Sequence, residues 1–332
     1  MSSSPFPHPS RRPSPQHSLR PQLVPPRRPR YSALALWHLL SLDAPTVATL
    51  WTVFIARCSH LHLPWTEPAA MFLAVWIIYA ADRLLDARFP APPNARLSPS
   101  DLEPRHRFHH AHRTAFVTAI LLCSIALAAF LQRIDPAALH LYAILATLLA
   151  AWMLLIHLRT APHSPASRLP KELAVGVFFP AAVFIPTLAR TSPTATAIHF
   201  LGSAATWIRP TLLPSAILFA CVCTLNCLCL YAWEHPTLRP QQLGDTPHRL
   251  AHWTTRWATA RLTAIALSIL AAATIASVSR AVPIALPALA CSLSTVALFA
   301  LNLYRRRLSS LHLRAAADLV LLTPILFLPF LR

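Results

Sequence analysis

The stretch MFLAVWIIYAADRLLDAR, residues 71–88, decides the fold class, because an apolar run leads directly into paired acidic and basic residues. With residues 66–70 added, the run is long enough to cross most of a hydrocarbon core about 30 Å thick as a helix. Charged residues that follow such a run mark the membrane surface, where they stay hydrated. The stretch therefore predicts a membrane-spanning helix over residues 66–82 that ends at a polar surface.

The composition of the whole chain agrees with this prediction. Of its 332 residues, 55% are hydrophobic and only 12% are charged, and the mean hydropathy is +0.49. Soluble domains carry about 25% charged residues, so that class is excluded. Only three residues are Gly, which excludes nucleotide-binding enzymes that need a Gly-rich phosphate loop. The seven Cys lie mostly inside apolar runs, where small buried hydrophobes are the better interpretation.

Apolar stretches of membrane-spanning length follow one another along most of the chain. They lie at residues 32–56, 66–82, 114–132, 136–157, 172–189, 210–233, 259–278, 282–303 and 315–331. We predict an all-α integral membrane protein with nine transmembrane helices. Residues 1–31, with nine Pro and six Arg, predict a disordered cytoplasmic tail ahead of a transmembrane domain over residues 32–332.

The distribution of basic residues sets the expected orientation. With the N-terminus in the cytoplasm, 23 of the 29 Lys and Arg residues fall on the cytoplasmic side, which places the C-terminus outside. Because the basic residues punctuate apolar runs, the net charge of +18 indicates a surface that faces anionic lipid rather than nucleic acid. We therefore expect a multi-pass protein of the inner (plasma) membrane with no nucleic-acid partner.

Asp82 and Asp86 lie four residues apart at the predicted cytoplasmic end of the second span. That spacing places both carboxylates on one face of a helix. Two such carboxylates can share Mg²⁺, which prefers oxygen ligands and completes its shell with water and phosphate oxygens. The alternative is a helix end at which Arg83 and Arg88 neutralise the two acids. The segment predicts one of these two arrangements.

A second polar patch lies in LNCLCLYAWEHP, residues 225–236, at the predicted cytoplasmic end of the sixth span. Asn226 and Glu234 are eight residues apart and share a helical face. An Asn in a transmembrane helix more often bonds a neighbouring helix. The patch points to a site because it lies at the same membrane surface as Asp82 and Asp86.

Nine predicted helices with polar patches after the second and sixth resemble the UbiA-type intramembrane prenyltransferases, over residues 32–332. The first motif of that family reads NDxxDxxxD, and the stretch from Asp82 to Ala87 is similar to its DRxxDA portion. Ile78 and Tyr79 occupy the positions of the leading Asn and Asp. The frame of the second motif falls on Asn226, Cys227, Leu230 and Glu234.

The resemblance implies a reaction, its cofactor and its partners. In such enzymes Mg²⁺ grips the diphosphate of a prenyl donor and promotes ionisation to an allylic cation, which an acceptor captures. The implied catalytic residues are Asp82, Asp86, Asn226 and Glu234, of which Asp82, Asp86 and Glu234 would bind the metal. The donor would be a prenyl diphosphate and the acceptor an aromatic or lipid-like molecule soluble in the membrane. A non-catalytic UbiA-like scaffold or lipid-binding protein is the alternative, because two motif aspartates are replaced.

Three further residues have two interpretations each. Lys171, ahead of the fifth span, is similar to a lysine of the family that would contact the diphosphate, and its alternative is an interfacial anchor or a partner of Glu172. Arg83 likewise would contact the diphosphate or serve as an interfacial anchor. Asp43, within the first span, would bind the acceptor or stabilise the cation, or would make a buried hydrogen bond to a neighbouring helix.

Two more polar features have simpler interpretations. Asp318 follows Arg314 by four residues, which predicts an ion pair near the inner surface. The stretch PRHRFHHAHR, residues 104–113, contains four His, and we predict a solvated basic surface there rather than a set of metal ligands.

Overall fold

The structure is a computed structural model, and it describes residues 31–86, 104–158, 171–191, 212–234 and 253–331. The chain divides into Met1–Tyr31 and Ser32–Arg332, and the second unit contains nearly all of the described residues. The predicted disorder of the tail falls on residues 1–30, outside the described part. Within that part every regular element is a helix.

Most helices lie on the predicted apolar stretches. They are α1 Ala33–Leu39, α2 Asp43–Cys58, α3 Thr66–Asp86, α4 Pro104–Ala111, α5 Arg113–Leu131, α6 Pro136–Leu158, α7 Lys171–Thr191, α8 Leu213–Glu234, α9 Trp253–Ala260, α10 Leu262–Ser277, α11 Val282–Tyr304 and α12 Ser310–Leu319. Short 3₁₀ helices cover Arg305–Arg307, Val320–Leu326 and Leu328–Phe330.

Six helical segments in the described residues are long and apolar enough to cross a membrane, so the protein is an all-helical, multi-pass membrane protein. They are Thr66–Leu85, Arg113–Leu131, Ala174–Thr191, Leu213–Trp233, Val282–Arg307 and Ser310–Phe330. A seventh crossing results if α1 and α2 form one broken span. Pro136–Trp152 and Leu262–Ser277 are shorter apolar helices. The count of nine spans stays a prediction.

The first predicted span, 32–56, differs from expectation because it is two helices rather than one. The axes of α1 and α2 meet at 89°, and residues 40–42 form the break. Pro45 does not cause the bend, since it lies in the first turn of α2, where a missing N–H costs no helical hydrogen bond.

Helix α2 is the centre of the packing. It contacts α3, α7, α11, α12 and the 3₁₀ helix Val320–Leu326. The fully buried Trp51 stacks on Phe219 of α8 with ring centroids 3.9 Å apart. Its Nε1 donates a hydrogen bond to the Leu321 carbonyl at 2.8 Å, which satisfies the polar atom of a buried indole. These contacts fix the middle of α2 within the bundle, and Asp43 is the first residue of the same helix.

An ion pair joins α3 to α7. The Nη1 and Nη2 atoms of Arg190 each donate to a carboxylate oxygen of Glu67 at 2.5 Å, in a bidentate arrangement. Glu67 lies in the first turn of α3 and Arg83 in its last turn, so about 24 Å of helix separates this pair from Arg83. The pair therefore ties together the opposite end of the bundle.

We expect the substitution Arg190→Gln to destabilise the protein by about 3–5 kcal/mol, because it leaves the Glu67 carboxylate buried without a counter-charge. The matched control is Arg133→Gln, the same change at an exposed arginine, where about 0.5 kcal/mol or less is expected. Thermal unfolding of both variants in detergent measures the difference. Equal melting temperatures would show that the pair contributes no stability.

Candidate functional site

The break between α1 and α2 is built from a specific hydrogen-bond pattern. The Leu42 N–H donates to the Trp37 carbonyl and the Ser41 N–H to the His38 carbonyl, both at 3.1 Å. This is a Schellman motif, whose first residue past the helix takes a left-handed conformation that usually requires Gly. Here that residue is Ser41, with φ of 59°. Its hydroxyl interacts with neighbouring side chains, which explains a serine at this position.

Asp43 begins α2 directly after the break and is almost completely buried. One carboxylate oxygen, Oδ1, accepts a hydrogen bond from the Ala44 N–H at 3.0 Å. The other, Oδ2, lies 2.5 Å from His38 Nδ1 and accepts from Arg83 Nη2 at 3.2 Å. An ionised carboxylate only accepts hydrogen bonds, so Nδ1 of His38 is the donor. The helix break therefore brings a histidine of α1 against an aspartate of α2.

Arg83 reaches this pair from the last turn of α3. Its Nη1 donates to the His38 carbonyl at 2.6 Å and to the Ser41 hydroxyl at 3.2 Å, in addition to the bond from Nη2 to Asp43. The residue is 7% exposed. A buried guanidinium needs such a counter-charge, and Asp43 supplies it. The arginine therefore fixes both sides of the helix break.

Two polar residues from distant helices complete the cluster. Asp318 of α12 places Oδ2 3.8 Å from His38 Nδ1. Asn226 of α8 donates from Nδ2 to the other Asp318 oxygen, Oδ1, at 3.1 Å. We call His38, Asp43, Arg83, Asn226 and Asp318 the polar centre. It joins α1, α2, α3, α8 and α12 within the apolar bundle.

One prediction about the histidine-rich stretch is wrong. His109, which was expected on a solvated surface, is fully buried. Its Nε2 lies 3.3 Å from the Ser41 hydroxyl, and its ring stacks on Phe116 with centroids 4.4 Å apart. The reason is that α4 packs against α1 and α3, so one of its faces turns inward. His110 and His112 are exposed, as expected.

The structure brings together three of the seven residues predicted for the site. Asp43, Arg83 and Asn226 meet in the polar centre, and for Asp43 and Asn226 the contacts match the alternative of a buried bond to a neighbouring helix. Asp82 is exposed, because it lies about 100° around the helix from the buried Arg83. The catalytic, metal-binding and substrate-binding roles predicted for these four residues stay predictions.

The three remaining predicted residues end or begin helices, but their side chains lie outside the described part. Asp86 ends α3, Lys171 begins α7 and Glu234 ends α8. His38 was missed by sequence reasoning, since it lies inside an apolar stretch and five residues before Asp43. No signal in the sequence paired the two, because the left-handed conformation of Ser41 at the helix break is visible only in the structure.

A separate apolar groove of about 270 Å³ lies between α6, α7 and α8. Its lining includes Leu141 and Leu148 of α6, Pro180 and Phe184 of α7, and Ala216 of α8. Such a surface accepts hydrocarbon rather than a charged group. The groove and the polar centre share no residue.

We found no protein-family model, no curated protein and no solved structure that matches this chain. The resemblance to UbiA-type enzymes therefore rests on the motif residues and the order of helices.

Proposed function

We propose that this chain is an intramembrane prenyltransferase of the UbiA type, with nine spans and a cytoplasmic N-terminus in the inner (plasma) membrane. The proposal is supported by the joining of Arg83 and Asn226 in one buried cluster. Arg83 contacts Asp43, Asn226 contacts Asp318, and His38 lies next to both aspartates. Arg83 belongs to the DRLLD segment and Asn226 to the second motif, which are more than 140 positions apart in the chain. The two motif regions therefore approach each other, as a shared active site requires.

The donor diphosphate would lie at the cytoplasmic end of α3. The exposed carboxylate of Asp82 fits a hydrated Mg²⁺, which keeps several waters and binds through one or two carboxylates. Asp86 and Glu234 would provide further oxygens, and Lys171 would meet the diphosphate. Mg²⁺, when bound there, would neutralise charge on the departing diphosphate.

The residues of the polar centre would position the reacting groups. Asp43 binds Arg83 on the buried face of the last turn of α3. Arg83 directly follows Asp82 in the sequence. Asn226 and Asp318 hold α8 against α12. The surrounding apolar helices would exclude water from an allylic cation, which water would otherwise capture.

The second candidate is a non-catalytic UbiA-like scaffold or lipid-binding protein. Arg83 favours this second candidate. Its guanidinium was predicted to contact a diphosphate, and instead it makes three hydrogen bonds to groups of the protein itself. The apolar groove between α6, α7 and α8 suits a lipid chain as well as a prenyl chain.

Binding of farnesyl diphosphate to the full-length protein in detergent tests the choice between the two candidates. For the enzyme we expect binding that requires Mg²⁺ and weakens at least about 10-fold, or about 1.4 kcal/mol, in Asp82→Ala and Asp86→Ala. Asp135→Ala, which removes a carboxylate between α5 and α6, is the control and should bind like the unchanged protein. Binding that does not require Mg²⁺ and is unchanged by both substitutions would favour the lipid-binding protein.

A further inference from the structure

Two buried acceptor atoms of the polar centre have no hydrogen-bond partner, namely Nε2 of His38 and Oδ1 of Asn226. The two residues are 3% and 5% exposed. Their other polar atoms are in use, because Nδ1 of His38 donates to Asp43 and Nδ2 of Asn226 to Asp318. Leaving a buried acceptor unpaired costs about 1–3 kcal/mol. The unpaired amide oxygen beside Asp318 indicates that a further group belongs in the cluster.

The two carboxylates next to His38 could hold a metal ion together with its imidazole. His38, Asp43 and Asp318 each offer one ligand atom, and the three atoms lie within 4.8 Å of one another. Nδ1 of His38 faces both carboxylates, at 2.5 and 3.8 Å, so an ion bound there would replace the proton that Nδ1 donates to Asp43. Ligands that lie about 2.0–2.2 Å from an ion are at most about 4.4 Å apart, so small side-chain movements would close this group around one ion. The ligands come from α1, α2 and α12, which are held together because α12 packs against both α1 and α2.

The ligand types and surrounding charges select the kind of ion. Arg83 donates to Asp43, and Arg314 acts electrostatically on His38. These positive groups repel any divalent ion, and Mg²⁺ has only its attraction to oxygen ligands to offset that repulsion. An imidazole nitrogen bonds more strongly to borderline transition ions. The set of one nitrogen and several oxygens therefore favours Zn²⁺ over Mg²⁺.

We propose that His38, Asp43 and Asp318 bind a divalent transition-metal ion, Zn²⁺ being favoured, with the amide oxygen of Asn226 as a fourth ligand. This site is distinct from the Mg²⁺ site proposed at Asp82, and it does not depend on prenyl transfer. The ion would join α1 to α2 across the helix break and both to α8 and α12. It would provide the partner that the buried Asn226 oxygen lacks.

The test measures metal bound to the purified full-length protein in detergent, after chelator treatment and reloading with Zn²⁺. We expect one tightly bound Zn²⁺ per chain, and its loss, or a weakening of at least about 100-fold, in His38→Gln and Asp318→Asn. Replacement by Co²⁺ should give visible absorption bands that His38→Gln removes. The unchanged protein is informative by itself, since no stoichiometric Zn²⁺ would overturn the proposal even if the variants fail to fold.

Control variants separate this site from others in the chain. The double substitution of the exposed His110 and His112 by Gln should leave the bound Zn²⁺ in place. If that variant loses the ion while His38→Gln retains it, the proposal is overturned in favour of the histidine-rich stretch. Asp82→Asn should retain Zn²⁺, so failure of farnesyl diphosphate binding and failure of this site give different results.

Discussion

Replacing Asp43 with alanine is expected to destabilise the folded protein by about 3–5 kcal/mol. The substitution leaves Arg83 buried with no carboxylate at Nη2 and leaves His38 Nδ1 without its acceptor. Removal of one partner from a buried ion pair costs more than removal of both, because the remaining charge is stranded in an apolar surrounding. Thermal unfolding in detergent, followed by tryptophan fluorescence, measures the effect.

Two companion variants give this prediction its control. Asp82→Ala removes an exposed carboxylate one residue from Arg83 and should change stability by less than about 1 kcal/mol. The double variant Asp43→Ala with Arg83→Met removes both charges, so it should be more stable than Asp43→Ala alone. If the double variant is the less stable one, the two side chains do not stabilise each other.

Replacing Gly176 with alanine is expected to destabilise the pairing of α7 and α8 by about 1–3 kcal/mol. A Cβ at this position would lie 1.8 Å from Thr224 Oγ1 and 3.2 Å from the Ala220 carbonyl oxygen. Thr224 has little freedom to turn aside, because its side chain is branched at Cβ and donates to that same carbonyl at 2.8 Å. The two helices would have to separate.

The sign of the effect distinguishes close packing from helix propensity. At an exposed helical site Gly→Ala stabilises by about 1 kcal/mol, so a loss of stability at Gly176 must come from the contact with α8. Thr224→Ala, combined with Gly176→Ala, removes the nearest obstructing atom and should recover part of the loss. Melting temperatures of the single and double variants measure this. Gly176→Ala with unchanged or higher stability would contradict the contact.

The sequence placed most helices correctly because the signal for a membrane helix is local. Transfer of apolar side chains into hydrocarbon adds up over a window of about 20 residues, whatever the neighbouring helices are. Helix α5, at Arg113–Leu131, therefore falls within one residue of the predicted span 114–132 at each end. The first span differs from its prediction, since a single left-handed serine breaks it while its hydropathy stays continuous.

The members of the polar centre could be only partly predicted. Acidic residues in apolar stretches are conspicuous, so Asp43 and Asp318 could be selected from the sequence. The side chains that bind them lie on other helices, and spacing along the chain does not predict such contacts. One residue along a helix rotates the side chain by about 100°, and this difference buries Arg83 while Asp82 stays exposed. Sequence alone gives the spacing on one helix and leaves its rotation against the others open.

The sequence by itself determined that this is an all-helical membrane protein and where its apolar helices lie, because hydrophobic transfer acts segment by segment. Only the tertiary structure decided that His38 meets Asp43 across a bent helix and that both approach Asp318 about 280 residues later. That choice depends on how several helices rotate and pack so that buried charges find partners. Partners for these buried charges come from several helices at once, so no single segment of the sequence specifies them.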